Sequence, residues 1–381
     1  MSTFQIFVFI GAAMLCFAYA ILIVLFTIGW FHPRRTNSSI QSPTTLVSVI
    51  IAARNEEASL ATCLDAISAQ DYPKQLLEVI VVNDHSSDGT ENLVRKIISD
   101  HPLLKLSLRT LETGIEGKKA AISLAMNYAT GEWIVTTDAD CRMDKQWITT
   151  LMKCTRDGHL QMLLAPVVFS REKSIFGQLQ ELEFMSLMAA SAGAANMGLA
   201  IMCNGANLAY RKNTFKNING YAADQKFASG DDMFLMIKIR KIFGSSAIRF
   251  VQSPSAIVTT SAAATASAFI NQRIRWASKS RVYQDVGVLF TSAVVYAFSL
   301  STFISMLAWG LGLIGPRMAL VFLSVKLLVD FPLMAAYSRF ANRSRLLVWY
   351  VPLQFIYFLY VTLIGALGNV FLYRWKGRKL R

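Results

Sequence analysis

Two carboxylates one residue apart, Asp138 and Asp140, close the run Trp133–Ile134–Val135–Thr136–Thr137. That run has the make-up of a buried strand, and its polar end would emerge at the carboxyl edge of a sheet, where open α/β sheets place their ligands. Side chains alternate along a strand, which predicts both carboxylates on one side. Oxygen ligands so placed suit a hard divalent cation, which keeps several waters and completes its shell with substrate phosphates. Taken alone, the same residues read more simply as an Asp-rich turn. Further polar clusters fall at other expected strand ends and helix starts: Asp84, Lys118, Asp231 and Asp232. A basic stretch adds Gln272, Arg275 and Trp276.

The elements that must position these residues follow from the apolar pattern. Leu46–Ala52, Val79–Val82 and Trp133–Thr137 are short apolar or β-branched runs, as strands covered on both faces would be, and Leu104–Thr110 is a further expected strand. Helical patterns follow them, from Arg54 to about Gln70, from Thr90 to Ser99 and from Gly117 through Tyr128. Asp88 with Glu91 predicts a capping box at the second of these. Strands alternating with helices predict a mostly parallel, doubly wound α/β sheet. Beyond it the pattern predicts a helix over Trp147–Arg156, a strand over Gln161–Ser170 and a helix over Met233–Ile242. Glu172–Met202, rich in Leu, Met and Ala with early acidic residues, predicts an amphipathic helix against membrane or sheet.

With 54% hydrophobic residues over 381 positions, the chain points to membrane. Its net charge of +14 does not indicate nucleic acid, because the basic residues cluster beside apolar runs, as on the cytoplasmic flanks of membrane helices. Phe4–Phe31 carries no charge and exceeds the ~20 apolar residues that a span needs. Arg34 and Arg35 then predict that the chain continues on the cytoplasmic side. Gly287–Gly315, Met318–Tyr337 and Leu346–Tyr373 are the other apolar segments, giving three or four spans in all. Lys326 and Asp330, one helical turn apart in the second of these, predict mutual neutralisation. The five cysteines are scattered and never form CxxC, which argues against a disulfide framework or a zinc site. The expected organisation is an N-terminal transmembrane helix (1–35), a Ser/Thr/Asn/Pro-rich linker (36–45), a catalytic domain (46–264), an interfacial amphipathic helix (265–286) and a C-terminal transmembrane region with a basic tail (287–381).

Six stretches, VSVIIAARNEE, VIVVNDHSSDGT, GKKAAISLAMNYATGEWIVTTDAD, NGANLAYRK, GDDMFL and QRIRW, stand in this order between residues 47 and 276. Together they resemble the motif set of family 2 glycosyltransferases, and most closely that of membrane-integrated members related to hyaluronan, chitin and cellulose synthases. The resemblance implies a GT-A fold and inverting transfer from a nucleoside diphosphate sugar, with UDP as the expected nucleotide. It implies Mg²⁺ or Mn²⁺ on Asp140 with Asp138, the second aspartate being the chief ligand. Ala53, Glu56, Asp84 and Lys118 match positions around the nucleotide, and Asn204 with Gly205 the acceptor loop. Asp232, beside Asp231, matches the general base. Gln272, Arg275 and Trp276 match the Q-x-x-R-W motif, with Arg275 suited to diphosphate oxygens and Trp276 to the acceptor. Simpler readings exist for each residue: capping for Glu56 and Asp84, a solvated helix start for Lys118, an interfacial anchor for Trp276.

The chain departs from the synthases in carrying Gln272–Arg273 where they have a Gln-Gln pair, and in having fewer apolar segments. Its ending, Trp375–Lys376–Gly377–Arg378, resembles smaller members that glycosylate lipids. The sequence therefore predicts a membrane enzyme with a lipid or lipid-linked acceptor. A processive polysaccharide synthase, working with a partner subunit, and an inactive GT-A scaffold are the alternatives.

Overall fold

The continuous apolar runs near the start of the polar body do become buried parallel strands. In the computed structural model, which describes residues 3–33, 44–100, 102, 104–221, 230–281, 283–368, 373–375 and 378–380, the chain divides into two compact units. One comprises Pro33–Ser170 and Met202–Ser261; the other comprises Met1–His32, Arg171–Ile201 and Ala262–Leu380. The expected linker lies, up to residue 43, outside the described residues, as do Arg34 and Arg35.

The first is a sheet unit. Strands β1 (Val47–Ala53), β2 (Leu77–Asn83), β3 (Lys105–Thr110) and β4 (Trp133–Asp138) run parallel in the order β3-β2-β1-β4. Helices α2 (Leu60–Ser68), α3 (Thr90–Asp100) and α4 (Lys118–Tyr128) connect them. Register aligns Ala53 with Asn83, and Ala52 with Asp138, so the loops beyond these strands open along one edge. The short β5 (Arg142–Met143) and helix α5 (Trp147–Cys154) come next.

Gln161–Ser170 is not one strand. It splits around Ala165–Pro166 into β6 (Met162–Leu164) and β7 (Val167–Phe169), which join different sheets. Proline has no N–H for a ladder, and the chain bends there. Strand β8 (Leu208–Arg211) inserts antiparallel between β4 and β6, helices α7 (Lys212–Asn217) and α8 (Asp231–Phe243) come after it, and β9 (Ile248–Phe250) pairs parallel with β6. Strand β10 (Val258–Thr260) forms a second, three-stranded sheet between β5 and β7. The capping box does not form. Asp88 accepts from the Thr90 N–H, but Glu91 turns to Asn83 and Arg95, two better donors within reach.

The second unit is helical: α1 (Thr3–Phe31), α6 (Ile175–Asn196), α9 (Ala266–Ala277), α10 (Val286–Gly310), α11 (Arg317–Phe340) and α12 (Tyr350–Leu367), with a short hairpin β11 (Tyr373–Trp375) and β12 (Arg378–Leu380). Among the described residues four segments are long and apolar enough to cross a membrane: Ile6–Phe31, Val286–Gly310, Arg317–Phe340 and Ser344–Leu367.

Helix α6 differs from the amphipathic helix against membrane or sheet that the pattern predicts, and it groups with the helical unit. It is buried almost all round, Glu181 and Glu183 included. The reason is that its acidic residues have basic partners distant in sequence. Arg343 donates to Glu181 at 2.5 Å, and Arg273 forms a buried ion pair with Glu183. Helices α1 and α6 meet backbone to backbone: a Cβ on Gly29 would lie 2.1 Å from the Gly193 carbonyl oxygen, and one on Gly193 the same distance from that of Phe26. Asn196 Nδ2 donates to the Gly29 carbonyl at 3.0 Å. Lys326 and Asp330 do pair, at 2.7 Å, and Tyr19 of α1 joins them by donating to Asp330 at 2.8 Å and accepting from Lys326 at 3.0 Å.

Candidate active site

The site grows from the loops after β1, β2 and β4. The N–H of Asp84 donates to the carbonyl of Ala53 at 2.8 Å, tying the β1 and β2 loops together. Asn55 and His85 hold positive φ of 52° and 54°, conformations that short polar side chains tolerate. Asn55 Oδ1 accepts from the Ser87 N–H at 2.8 Å, and the Glu56 N–H donates to Thr90 Oγ1 at 2.8 Å. The carboxylate of Glu56 accepts from Ser59 Oγ at 2.7 Å. Asp84 is buried and accepts from the N–H of Gly117 at 3.1 Å. Gly117, at φ 97°, allows that loop to turn straight into α4. The next residue is Lys118.

Lys118 is the hub. Its Nζ stands 2.5 Å from Asp138 Oδ1 and 3.3 Å from the Gly205 carbonyl oxygen. The N–H of Gly205 donates to Asp232 Oδ2 at 3.0 Å, while Asp232 Oδ1 accepts from the Met233 N–H at 2.8 Å. A Cβ on Gly205 would lie 3.0 Å from Lys118 Nζ and 3.4 Å from Asp231 Oδ2, so this loop packs directly on the charged groups. Burial pulls the Lys118 ammonium down, but the carboxylates of Asp138, Asp231 and Asp232 outweigh it and hold the group above its ordinary range. Asp138, Asp231, Asp232, Lys118 and Gly205 therefore share one locus. Asn204 shapes the loop by accepting from the Ala206 N–H at 2.9 Å.

Asp140 lies in the turn after β4, not on the strand, so strand alternation is not what sets its direction. Thr260, at the end of β10, donates to Asp140 Oδ2 at 2.8 Å. Burial raises the Asp140 carboxyl, and the negative charges of Asp138 and Glu56 raise it further against the Thr260 bond. The Cys63 thiol is pushed up to about 12 by burial and then by Asp140 and Asp138. The local potential is negative. Among the described residues no three His, Cys, Asp or Glu side chains converge to hold a metal ion alone. The paired aspartates nevertheless fit a divalent cation that draws its other ligands from substrate: their oxygens are hard donors, and added positive charge would relieve the carboxylates.

The Q-x-x-R-W residues belong to the helical unit. Gln272, Arg275 and Trp276 lie on α9, whose start is capped by Thr265 accepting from the Ala268 N–H at 3.1 Å. Gln272 and Trp276 are organised around Arg273, which is itself buried.

Thr260 and Asn207 were not foreseen. Asn207 Oδ1 accepts from Trp147 Nε1 at 2.9 Å, and its Nδ2 donates to the carbonyls of Pro166 and Ala256 at 2.8 Å each. It thereby fixes the loop that carries Gly205. Neither residue has a local signal, though Asn207 does fall inside the NGANLAYRK stretch.

Residues 48–218 match the family described as glycosyl transferase family 2. The chain is 28% identical over 234 residues to a probable glycosyltransferase, YdaM, of Bacillus subtilis, covering 61% of this chain and 54% of that one. It is 31% identical over 113 residues to a β-monoglucosyldiacylglycerol synthase of Nostoc, covering 29% and 24% respectively. The chain thus spans about half or less of these relatives' lengths. Among solved structures, the mannosyltransferase PcManGT of Pyrobaculum calidifontis, in complex with GDP-Man and Mn²⁺, shares the fold with a TM-score of 0.60 at 21% identity, covering 95% of this chain and 97% of that one.

Proposed function

We propose that the chain is a membrane-bound, inverting family 2 glycosyltransferase that moves a sugar from a nucleoside diphosphate sugar to a lipid or lipid-linked acceptor; the family match over residues 48–218, the shared GT-A-type fold and the four apolar helices among the described residues support that reading. One observation carries the reading. Lys118 connects Asp138, on the side expected to meet the donor, to the Gly205 loop that is bonded by Asp232.

In this reading the acceptor hydroxyl oxygen bonds to the anomeric carbon while the bond from that carbon to the diphosphate oxygen breaks. Asp232 takes the hydroxyl proton, and its two backbone N–H bonds hold the carboxylate in place. Asp140 and Asp138 would hold Mg²⁺ or Mn²⁺, which supplies positive charge to the leaving diphosphate. Lys118 adds charge on the same side, and Glu56, Ala53 and Asp84 shape the nucleotide position. Gln272, Arg275 and Trp276 take part in binding donor and acceptor. The sheet unit faces the cytoplasm, where nucleotide sugars are made. The lipid acceptor is supported by the four apolar helices and by similarity to a diacylglycerol-glucosylating relative.

The test is to incubate membranes carrying the chain with labelled UDP- and GDP-sugars and Mn²⁺, then to resolve the lipid extract. A lipid bearing one sugar is the expected product. A ladder of sizes would establish a processive synthase in its place, and absence of metal-dependent turnover with every donor would overturn the enzyme reading.

A further inference from the structure

One of the polar clusters inside the helical unit is arranged around a single guanidinium. Arg273 lies between Gln272 and Trp276 in sequence, and its side chain is only 3% exposed. It pairs with Glu183 of α6, itself 5% exposed, through Nη2, and approaches the same carboxylate through Nε at 3.3 Å. Tyr360 of α12 donates to Glu183 Oε1 at 3.2 Å. Neither member of the pair is exposed enough to meet a substrate. A buried ion pair is also seldom a more stabilising filling than apolar side chains of the same volume. What it does supply is orientation.

We infer that Arg273 and Glu183 are positioning residues that set the presentation of Gln272 and Trp276, resting on the proposed donor-binding role of that motif. Arg273 Nη1 donates to Gln272 Oε1 at 2.6 Å. A guanidinium has donors only, so it must engage the amide oxygen, which turns Nε2, the donor end of the amide, to the other side. Gln272 is thereby set to donate to an anionic oxygen, as on a diphosphate, and not to accept. The same guanidinium lies 4.2 Å from the centroid of the Trp276 ring and 4.6 Å from that of Phe269. Stacking on both rings fixes the indole plane. Phe269 in turn stacks on Tyr360 at 5.6 Å, which links α9 to α12 through the same cluster. Lysine could keep the charge beside Glu183, but it cannot serve an amide, a carboxylate and two ring faces at once.

The experiment titrates the detergent-solubilised full chain with UDP and with GDP in the presence of Mn²⁺, and follows each variant's thermal midpoint. Arg273→Lys is expected to weaken binding of the preferred nucleotide about tenfold, the factor one lost charge-assisted bond would give. Glu183→Gln, close to the same shape, should weaken it in the same direction and gives a second route if Arg273→Lys does not fold. The deciding measurement repeats Arg273→Lys in a Gln272→Ala background, where the penalty should shrink to about twofold because the residues act as one. An equal penalty in both backgrounds, or unchanged affinity in both single variants, overturns the inference. A wild-type chain that binds neither nucleotide overturns the proposed function and this inference with it.

Discussion

The two units arrange their clustered charges differently. In the helical unit the buried acids among the described residues each have a close basic partner, Arg343 for Glu181 and Arg273 for Glu183, and the half-buried Asp330 has Lys326. In the sheet unit Asp138, Asp231 and Asp232 gather about Lys118, with Asp140 beside Asp138, and burial together with the neighbouring carboxylates raises Asp140 and Cys63. Matched pairs close a structure. An unbalanced cluster stores a demand for a cation, which is what a site for a metal and a diphosphate requires. Charge in the sheet unit should therefore bear directly on the chemistry, and charge in the helical unit on the framework, reaching activity only where Arg273 sets how Gln272 and Trp276 are presented.

The strongest way to break this comparison is to neutralise the sheet cluster. Asp140→Asn and Asp232→Asn are each expected to lower transfer by roughly a thousandfold or more, within the range for losing an electrostatic or base contribution. The thermal midpoint should stay level or rise for Asp140→Asn, which removes a like charge, and fall modestly for Asp232→Asn, which can keep only one of the two backbone N–H bonds. Retained turnover in Asp232→Asn would remove its assignment as base. Next, Arg343→Met leaves Glu181 buried without its partner and should cost about 3–5 kcal/mol in unfolding free energy, tracked by thermal denaturation in detergent. A midpoint equal to wild type would show that the helical pairs are not structural.

A smaller effect sharpens the helical side. Gly193→Ala pushes a methyl against the rigid Phe26 backbone and should cost about 1–3 kcal/mol, whereas Gly11→Ala, with nothing within 4 Å, should be neutral in the same assay. The smallest expected effect concerns pH. The Asp140 carboxyl is raised, so on acidification it takes up a proton before an ordinary carboxylate does, and cation-dependent turnover should fall off at correspondingly higher pH. Thr260→Val removes the bond that opposes this shift and should move the acid limb further toward neutral. A pH profile of kcat/KM at saturating Mn²⁺ checks it, and a limb unmoved by Thr260→Val would dissociate Asp140 from metal binding.

What the sequence made legible was local. Buried runs such as Val47–Ala53 announced their strands because both faces are covered and every residue is apolar, alanine or serine. Asp138, Asp231 and Asp232 sat at element ends, where polar residues interrupt such runs. Distant pairing was not legible. Glu181 and Glu183 read as the wet face of an amphipathic helix, since nothing nearby in sequence announces Arg343 or Arg273. Arg273 stood out only as a departure from the family's usual pair. Thr260 is an ordinary residue of a short strand until the fold brings it to Asp140.

The bare contact between Gly29 and Gly193 limits how the first helix can be exchanged. An unrelated apolar segment of equal length would match α1 in hydropathy, yet it would carry a side chain where the fold leaves no room and would lack Tyr19 for Lys326 and Asp330. Chimaeras bearing a borrowed anchor should insert into bilayers and still fail to mature, which makes α1 a folding partner of a helix that begins only at Ile175, after most of the sheet has been made.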